Sequence, residues 1–299
     1  MGKTAAIADL VRTTTTHTWE LISADSRQVY RGLDIGTAKP SSAERALLPH
    51  HLIDVCDPRE SWDVGQFVER ADALVDGIRR RGATPLISGG TAFYIRGYLF
   101  GLPGTPKASA ELRARLDQRL ADEGLDRLRE ELERVDPASA ARIAPADAYR
   151  ILRALEVYHT AGRPLSSYAP PETVRPGVRP LVVGLFRDRR DLYARIDRRV
   201  EEMFAAGLPA EVAALLEQGY GADDPGMQTI GYREFLELGP PPWSPATLGD
   251  VRDRIARNTR RYAKRQETFF RRLPGVRWVR AGETRDLHAA LEPVLDMGR

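Results

Sequence analysis

The sequence predicts an α/β fold: a parallel sheet with helices on both faces, carrying a helical insertion. Short β-branched or apolar runs alternate with helical stretches, which is how a parallel sheet with crossover helices is written. From about Ser109 to Thr160 the alternation stops. The text there is purely helical, with Leu112, Leu116, Leu120, then Leu125, Leu128 and Leu132 at three-to-four spacing. Pro-rich breaks at Leu102–Pro106 and Ala169–Pro180 flank this block. Residues 107–178 therefore read as the insertion, and 1–106 with 179–299 as the core.

In chain order, Thr4–Arg12 reads as an amphipathic helix, and Gly2-Lys3-Thr4 at its head is the back half of a phosphate-binding loop. A full loop is a strand, G-x-x-x-x-G-K-[ST], then a helix. Its backbone N–H groups and positive dipole end face phosphate oxygens. No strand or first glycine precedes Gly2 in this text. The Thr13–Thr16 tract reads as a solvated turn. Strands are expected at Thr18–Ala24, His51–Val55, Thr84–Ser88, Pro180–Leu185 and Val276–Val279, and helices at Gly65–Arg80 and Thr91–Phe100. Long helices fill the C-terminal part.

With 299 residues and 42% apolar content the chain can bury a large core. Its apolar runs are too short for a membrane span or a signal-peptide core. A single cysteine, Cys56, excludes an internal disulfide and a Cys-rich metal site, which fits a cytoplasmic protein. Following Leu52-Ile53-Asp54-Val55, it reads as a buried structural thiol. His17, His50, His51, His159 and His288 lack the spacing of a zinc site. The net charge is only +3, but Arg254 to Arg272 carries eight Arg or Lys against one acid, Glu267. That is a local footprint for phosphate, with nucleic acid as first candidate.

Three strand-end loops are candidates for chemistry, because ligands of open α/β sheets gather at the carboxyl edge. The first carries Lys3. The second puts Asp25 just past Leu21-Ile22-Ser23-Ala24, where it either meets a ligand or merely caps a turn. The third, Gly89-Gly90-Thr91, lets backbone N–H groups approach an anion. Arg31–Pro40 is too rich in Gly and Pro for a regular element; it is a structured loop with exposed backbone donors or a plain connection. In Arg254–Gln266, Ile255 and Tyr262, with Phe269 beyond, fall seven apart as one buried stripe, while Arg257, Arg261 and Lys264 share another face. That face is either simply solvated or tracks a nucleic-acid backbone, with Phe269 and Phe270 nearby for base stacking.

Taken in order, these segments resemble the tRNA dimethylallyltransferase (tRNA isopentenyltransferase) family. The matching text is Ser23–Tyr30, Gly32–Pro40, His51–Asp54 with Asp57-Pro58, Gly89-Gly90-Thr91 with Tyr94, and Arg153–Val157 after Arg150. It continues through Arg195–Arg199, Gly207 and Glu211, then Ile230–Glu234 and Thr259–Gln266. The resemblance covers nearly the whole chain. It implies a P-loop NTPase-like core and transfer of a dimethylallyl group from its diphosphate to the exocyclic amine of the adenosine 3′ to the anticodon.

By the same resemblance, Asp25 is the general base, and Thr91 and Arg199 join it in catalysis. Gly2, Lys3 and Thr4 bind the diphosphate, and Mg2+ bridges its oxygens with Thr4 as a ligand. Thr91 and Arg113 look like the family's tRNA-contacting pair. The RNA-binding stretches map onto Asp25, Ser26, Arg27 and Gln28; Tyr149, Arg150 and Arg153; Gln228, Gly231, Tyr232 and Arg233; and Lys264, Arg265, Gln266 and Arg271. The expected partners are the tRNA anticodon stem-loop, over which the insertion would close, and dimethylallyl diphosphate, with no membrane and a monomeric enzyme.

The sequence departs from the pattern at two places. The family begins with an apolar strand and G-P-T-A-S-G-K-T, of which only the last three residues are present. The expectation is a start lying upstream, or else a product that is unstable or crippled in phosphate binding. Phe269-Phe270 also stands where the family more often has Trp-Phe or Trp-Leu. Three alternatives remain open at this point. They are a small-molecule P-loop kinase, a prenyltransferase of free adenine nucleotides, and a tRNA-binding protein without catalysis.

Overall fold

A computed structural model describes residues 2–14 and 17–295. In chain order the elements are α1 (Lys3–Thr13), β1 (Trp19–Ser23), α2 (Ser42–Leu47), β2 (His50–His51), α3 (Val64–Arg80), β3 (Thr84–Ser88) and α4 (Ala92–Phe100). Next come α5 (Ala110–Glu123), α6 (Leu125–Val135), α7 (Pro137–Arg142), α8 (Ala148–Ala161), β4 (Val182–Phe186) and α9 (Arg189–Ala205). The last are α10 (Leu208–Glu217), α11 (Pro245–Phe270), β5 (Val276–Arg280) and α12 (Thr284–Leu295). The chain divides into two compact units, Met1–Leu99 with Val178–Arg299, and Phe100–Gly177.

The larger unit is built on parallel strands. β1 lies between β2 and β3, paired in parallel with both, and β4 pairs in parallel with β5. Every residue of β1 is buried, as expected of a strand covered on both faces. α3 shows why the sequence folds as it does. Asp63 and Gln66 form a reciprocal capping box at its start, Phe67, Ala71, Val75 and Ile78 fall on one buried face, and left-handed Gly82 follows its end. α1, with Ile7, Leu10 and Val11, packs among Trp19, Leu21, Leu86 and Leu291.

One charge sits inside β1. Glu20 is 8% exposed and accepts from Nε and Nη2 of Arg81, at 3.1 and 2.7 Å, and pairs with His51 Nε2 at 2.6 Å. The hydrogen bond from Arg81 is the main reason its carboxyl titrates below the usual range. A depressed acid stabilises the fold above its unfolded pKa, and the effect is lost as pH falls through the folded value. Glu20→Gln is accordingly expected to cost about 2 kcal/mol at neutral pH, from charge-assisted hydrogen bonds. The deficit should shrink below about pH 4, as read from denaturant midpoints at both pH values.

The unit Phe100–Gly177 has its own core of Leu116, Leu128, Leu132, Ile151, Ala154 and Leu155. Buried Asp136 ties its loops by accepting from the backbone N–H of Ser139 at 3.0 Å and of Ser166 at 2.9 Å.

Several sequence expectations change. The strand expected over His51–Val55 is only His50–His51, because Leu52 and Asp54 adopt left-handed φ of 61° and 60° and turn the chain away. Thr14 is buried, not solvated, and accepts a hydrogen bond from Trp19 Nε1 at 2.9 Å; Thr15 and Thr16 lie outside the described residues. The 255–262–269 stripe is buried only at Ile255, since Tyr262 is 37% exposed and Phe269 half-buried. Cys56 is buried, and burial pushes its thiol up to about 11, which suits an inert packing role. No helix among the described residues is long and apolar enough to cross a membrane.

Candidate active site

The carboxyl ends of β1 and β3 meet the start of α1. Gly2 caps α1 with φ 114°, no side chain caps the helix, and its first turn holds no acid. The leading N–H groups and the dipole end are thus left for an outside anion. Gly89 makes the closest approach: a Cβ there would stand 1.9 Å from the carbonyl oxygen of Ala24. Only glycine lets the 89–91 loop lie against the end of β1, where Thr91 N–H donates to Ala24 O at 3.2 Å.

Of its two sequence readings, Asp25 shows the turn cap directly. Its Oδ1 accepts from the backbone N–H of Arg27 at 2.9 Å and of Gln28 at 3.4 Å, which caps the turn. Its second oxygen makes no hydrogen bond among the described residues. Two cations act on this carboxylate, Lys3 from α1 and Arg199 from α9. Burial pushes the pKa of each down, and the charge of Asp25 opposes that shift in both. Among the described residues neither cation has a hydrogen bond or an ion pair. Two partly buried positive groups thus act on Asp25, and Arg199 also feels the charge of Glu202.

Thr91 Oγ1 accepts the backbone N–H of Ser26 at 2.9 Å and donates to Ser26 Oγ at 3.2 Å. The 31–40 loop is structured, but three successive backbone donors in it are already engaged. Glu211 accepts from the N–H groups of Asp34 at 3.1 Å, Ile35 at 2.9 Å and Gly36 at 3.4 Å, and from the Tyr232 hydroxyl at 2.6 Å. Lys39, its side chain 3% exposed, bonds Asp34, Asp54 and the carbonyl of Tyr30.

The residues assigned to RNA fall into three groups. Gln228, Lys264, Arg265 and Arg271 are exposed, and Arg233 is exposed beside buried Glu234. In the unit Phe100–Gly177, Tyr149 is 78% exposed, and Arg113 and Arg150 are also on its surface. Arg153 there is partly engaged with Glu156, Thr105 and the carbonyl of Pro106. Others face inward. Tyr232 is fully buried, with burial and Glu211 pushing its pKa up, and Gly231, at φ 106°, lies against Gly36. Gln28 donates to the carbonyls of Thr37 and Ala38, Arg27 donates to Pro225 O, and Gln266 donates to Gly90 O.

Three participants were named from sequence without a role at the site: Glu211 and Glu234 as matching text, and Tyr262 as part of a buried stripe. Glu234, 1% exposed, accepts from Gly231 N–H and from Asn258, and so fixes the 231–234 turn to α11. Tyr262 had a legible signal, since it precedes Gln266 by four and shares its helix face.

A family model described as IPP transferase matches residues 28–273. The chain is 44% identical over 261 residues to tRNA dimethylallyltransferase 1 of Pelobacter propionicus, covering 87% of this chain and 84% of that one. It is 45% identical over 259 residues to tRNA dimethylallyltransferase of Chloroflexus aggregans, covering 86% of each. The full-length tRNA isopentenylpyrophosphate transferase from Bacillus halodurans matches it with a TM-score of 0.66 at 34% identity, over 99% of this chain and 94% of that one. A eukaryotic dimethylallyltransferase acting on tRNA gives a TM-score of 0.75 over 98% of this chain and 74% of that one. At 24% identity this last likeness speaks for the fold alone.

Proposed function

Because this chain belongs to the IPP transferase family and has its P-loop NTPase-like α/β core, we propose that it prenylates tRNA. A dimethylallyl group passes from its diphosphate to the exocyclic amine of the adenosine 3′ to the anticodon. The observation that carries the assignment of the site is the pair of partly buried cations, Lys3 and Arg199, that act on Asp25 and have no hydrogen bond or ion pair among the described residues. Two positive groups and an uncapped helix start suit a diphosphate, and the adjacent carboxylate suits the acceptor amine.

In the reaction, the amine nitrogen bonds the allylic carbon while the carbon–oxygen bond to the diphosphate breaks. The oxygen takes the electron pair, and Asp25 takes the amine proton. Lys3, Arg199 and the backbone N–H groups of Gly2-Lys3-Thr4 balance the negative charge that grows on the leaving group. Thr4 is exposed and its hydroxyl makes no hydrogen bond among the described residues, so it could serve as a magnesium ligand. Magnesium would neutralise part of the diphosphate charge. The acceptor base must leave its stack to reach Asp25. Lys264, Arg265 and Arg271 on α11 supply backbone contacts to the RNA, as Arg113, Tyr149, Arg150 and Arg153 do in the helical unit.

A small-molecule kinase, a prenyltransferase of free nucleotides and a non-catalytic RNA binder all fall behind, because the relatives are tRNA dimethylallyltransferases over most of this length. The protein is to be incubated with unmodified tRNA, with AMP, and with labelled dimethylallyl diphosphate and Mg2+. Label is expected in tRNA alone. Label in the nucleotide, or tRNA binding without transfer, overturns the reading.

A further inference from the structure

Gln266 belongs to the basic tract of α11, yet its side chain points at the diphosphate cradle. Its Nε2 donates to the carbonyl oxygen of Gly90 at 2.6 Å. A Cβ on Gly90 would stand 2.3 Å from that nitrogen and 3.5 Å from Lys3 Nζ, so amide, loop and ammonium converge on one spot. One turn earlier, the Tyr262 hydroxyl interacts with the side chains of both Gln266 and Thr91. Thr91 in turn holds Ser26. A continuous chain of contacts, Gly90–Gln266–Tyr262–Thr91–Ser26, thus ties α11 to the loops that follow β1 and β3. The far side of the same helix is open, with Lys264 and Arg265 exposed and the Arg265 guanidinium 5.9 Å from the Tyr262 ring centroid.

We infer that Gln266, steadied by Tyr262, is a positioning residue for the diphosphate, holding the Gly89-Gly90-Thr91 loop against Lys3, and is not an RNA contact. The inference rests on the diphosphate reading of the Lys3–Arg199 site. Its physical content is simple. A loop whose N–H groups must face an anion loses affinity when it is free to move, because the ordering cost is then met on binding. The amide of Gln266 supplies that order from a helix that the RNA-binding residues share. The same amide thus links the diphosphate cradle to the RNA-facing helix.

The test compares wild type, Gln266→Ala, Tyr262→Phe and Lys3→Ala. Pyrophosphate binding is measured by calorimetry, unmodified-tRNA binding by filter retention, and steady-state constants by labelled dimethylallyl transfer, with a melting temperature for each variant. Gln266→Ala is expected to weaken pyrophosphate about tenfold, the worth of one buried hydrogen bond. It should raise KM for dimethylallyl diphosphate in proportion, leave kcat closer to wild type and leave tRNA affinity unchanged. Tyr262→Phe should move the same quantities in the same direction, by less. If Gln266→Ala instead weakens tRNA while pyrophosphate binding holds, Gln266 is an RNA contact and the inference is overturned. If wild type fails to bind pyrophosphate, or Lys3→Ala binds it as well as wild type, the diphosphate reading itself falls and takes the inference with it.

Discussion

Asp25→Asn is expected to slow dimethylallyl transfer by about 10²–10⁴-fold, the usual worth of a positioned general base, while tRNA affinity stays unchanged. Asparagine is the informative choice over alanine. Its side-chain oxygen can still accept the N–H groups of Arg27 and Gln28, so the turn survives and only the charge and the basic oxygen go. A second signature separates this loss from general damage. Lys3 and Arg199 both feel the negative charge of Asp25, and an incoming diphosphate would feel it as repulsion. Removing it should tighten pyrophosphate binding even as turnover falls. Single-turnover transfer with saturating tRNA and calorimetric pyrophosphate titration read the two effects. Unchanged turnover would place the base elsewhere.

Gly89→Ala is expected to be the most damaging single methyl group in the core of the site. The added carbon would meet Ala24 backbone on three sides, at 1.9 Å from O, 2.2 Å from C and 2.7 Å from Cα. None of these is the loose end of a side chain, so the ends of β1 and β3 must part. That strains the Ser23–Ser88 register and the hydrogen bond from Ala24 N–H to Ser88 O at 2.8 Å. The cost belongs at the upper end of overpacking penalties, about 3 kcal/mol. It should appear as a lower urea midpoint together with loss of transfer, since Thr91 and Asp25 are displaced at once. A variant with wild-type midpoint and rate would mean that the two backbones are not in contact.

How much of this was written in the sequence depends on how local its cause was. Thr84–Ser88 is a strand over the residues its β-branched and apolar pattern gives, because both its faces are read from its own text. His51–Val55 has an equally apolar pattern, and it fails for a distant reason. Asp54 turns left-handed so that its backbone N–H reaches Gln28 O, while Lys39 and Arg45 hold its carboxylate. No window of five residues contains those partners. α2 was passed over although Ser41 and Glu44 write a capping box at its start; its six residues bury no side chain, so periodicity had nothing to report. At the site, Lys3, Asp25 and the Gly89-Gly90-Thr91 loop were legible from strand-end position and motif. Tyr232 and Gln28 were not, because a motif gives residue types and not the direction in which a side chain faces. Tyr262 was misjudged for the opposite reason: a seven-residue repeat suggested full burial, but it stays 37% exposed while its hydroxyl meets Gln266 and Thr91.

The clasp between Glu211 and the turn at Asp34–Gly36 bears on where a polyphosphate can settle on this protein. Three successive backbone N–H groups pointing one way form a socket for negative charge of the kind that elsewhere cradles phosphate. Here the socket arrives already plugged by a carboxylate of the same chain, with the Tyr232 hydroxyl sealing it from behind. An RNA backbone sliding across this surface finds no decoy there. The chain spends one of its own charges to close a competing berth, which leaves the proposed diphosphate site around Asp25 without that rival.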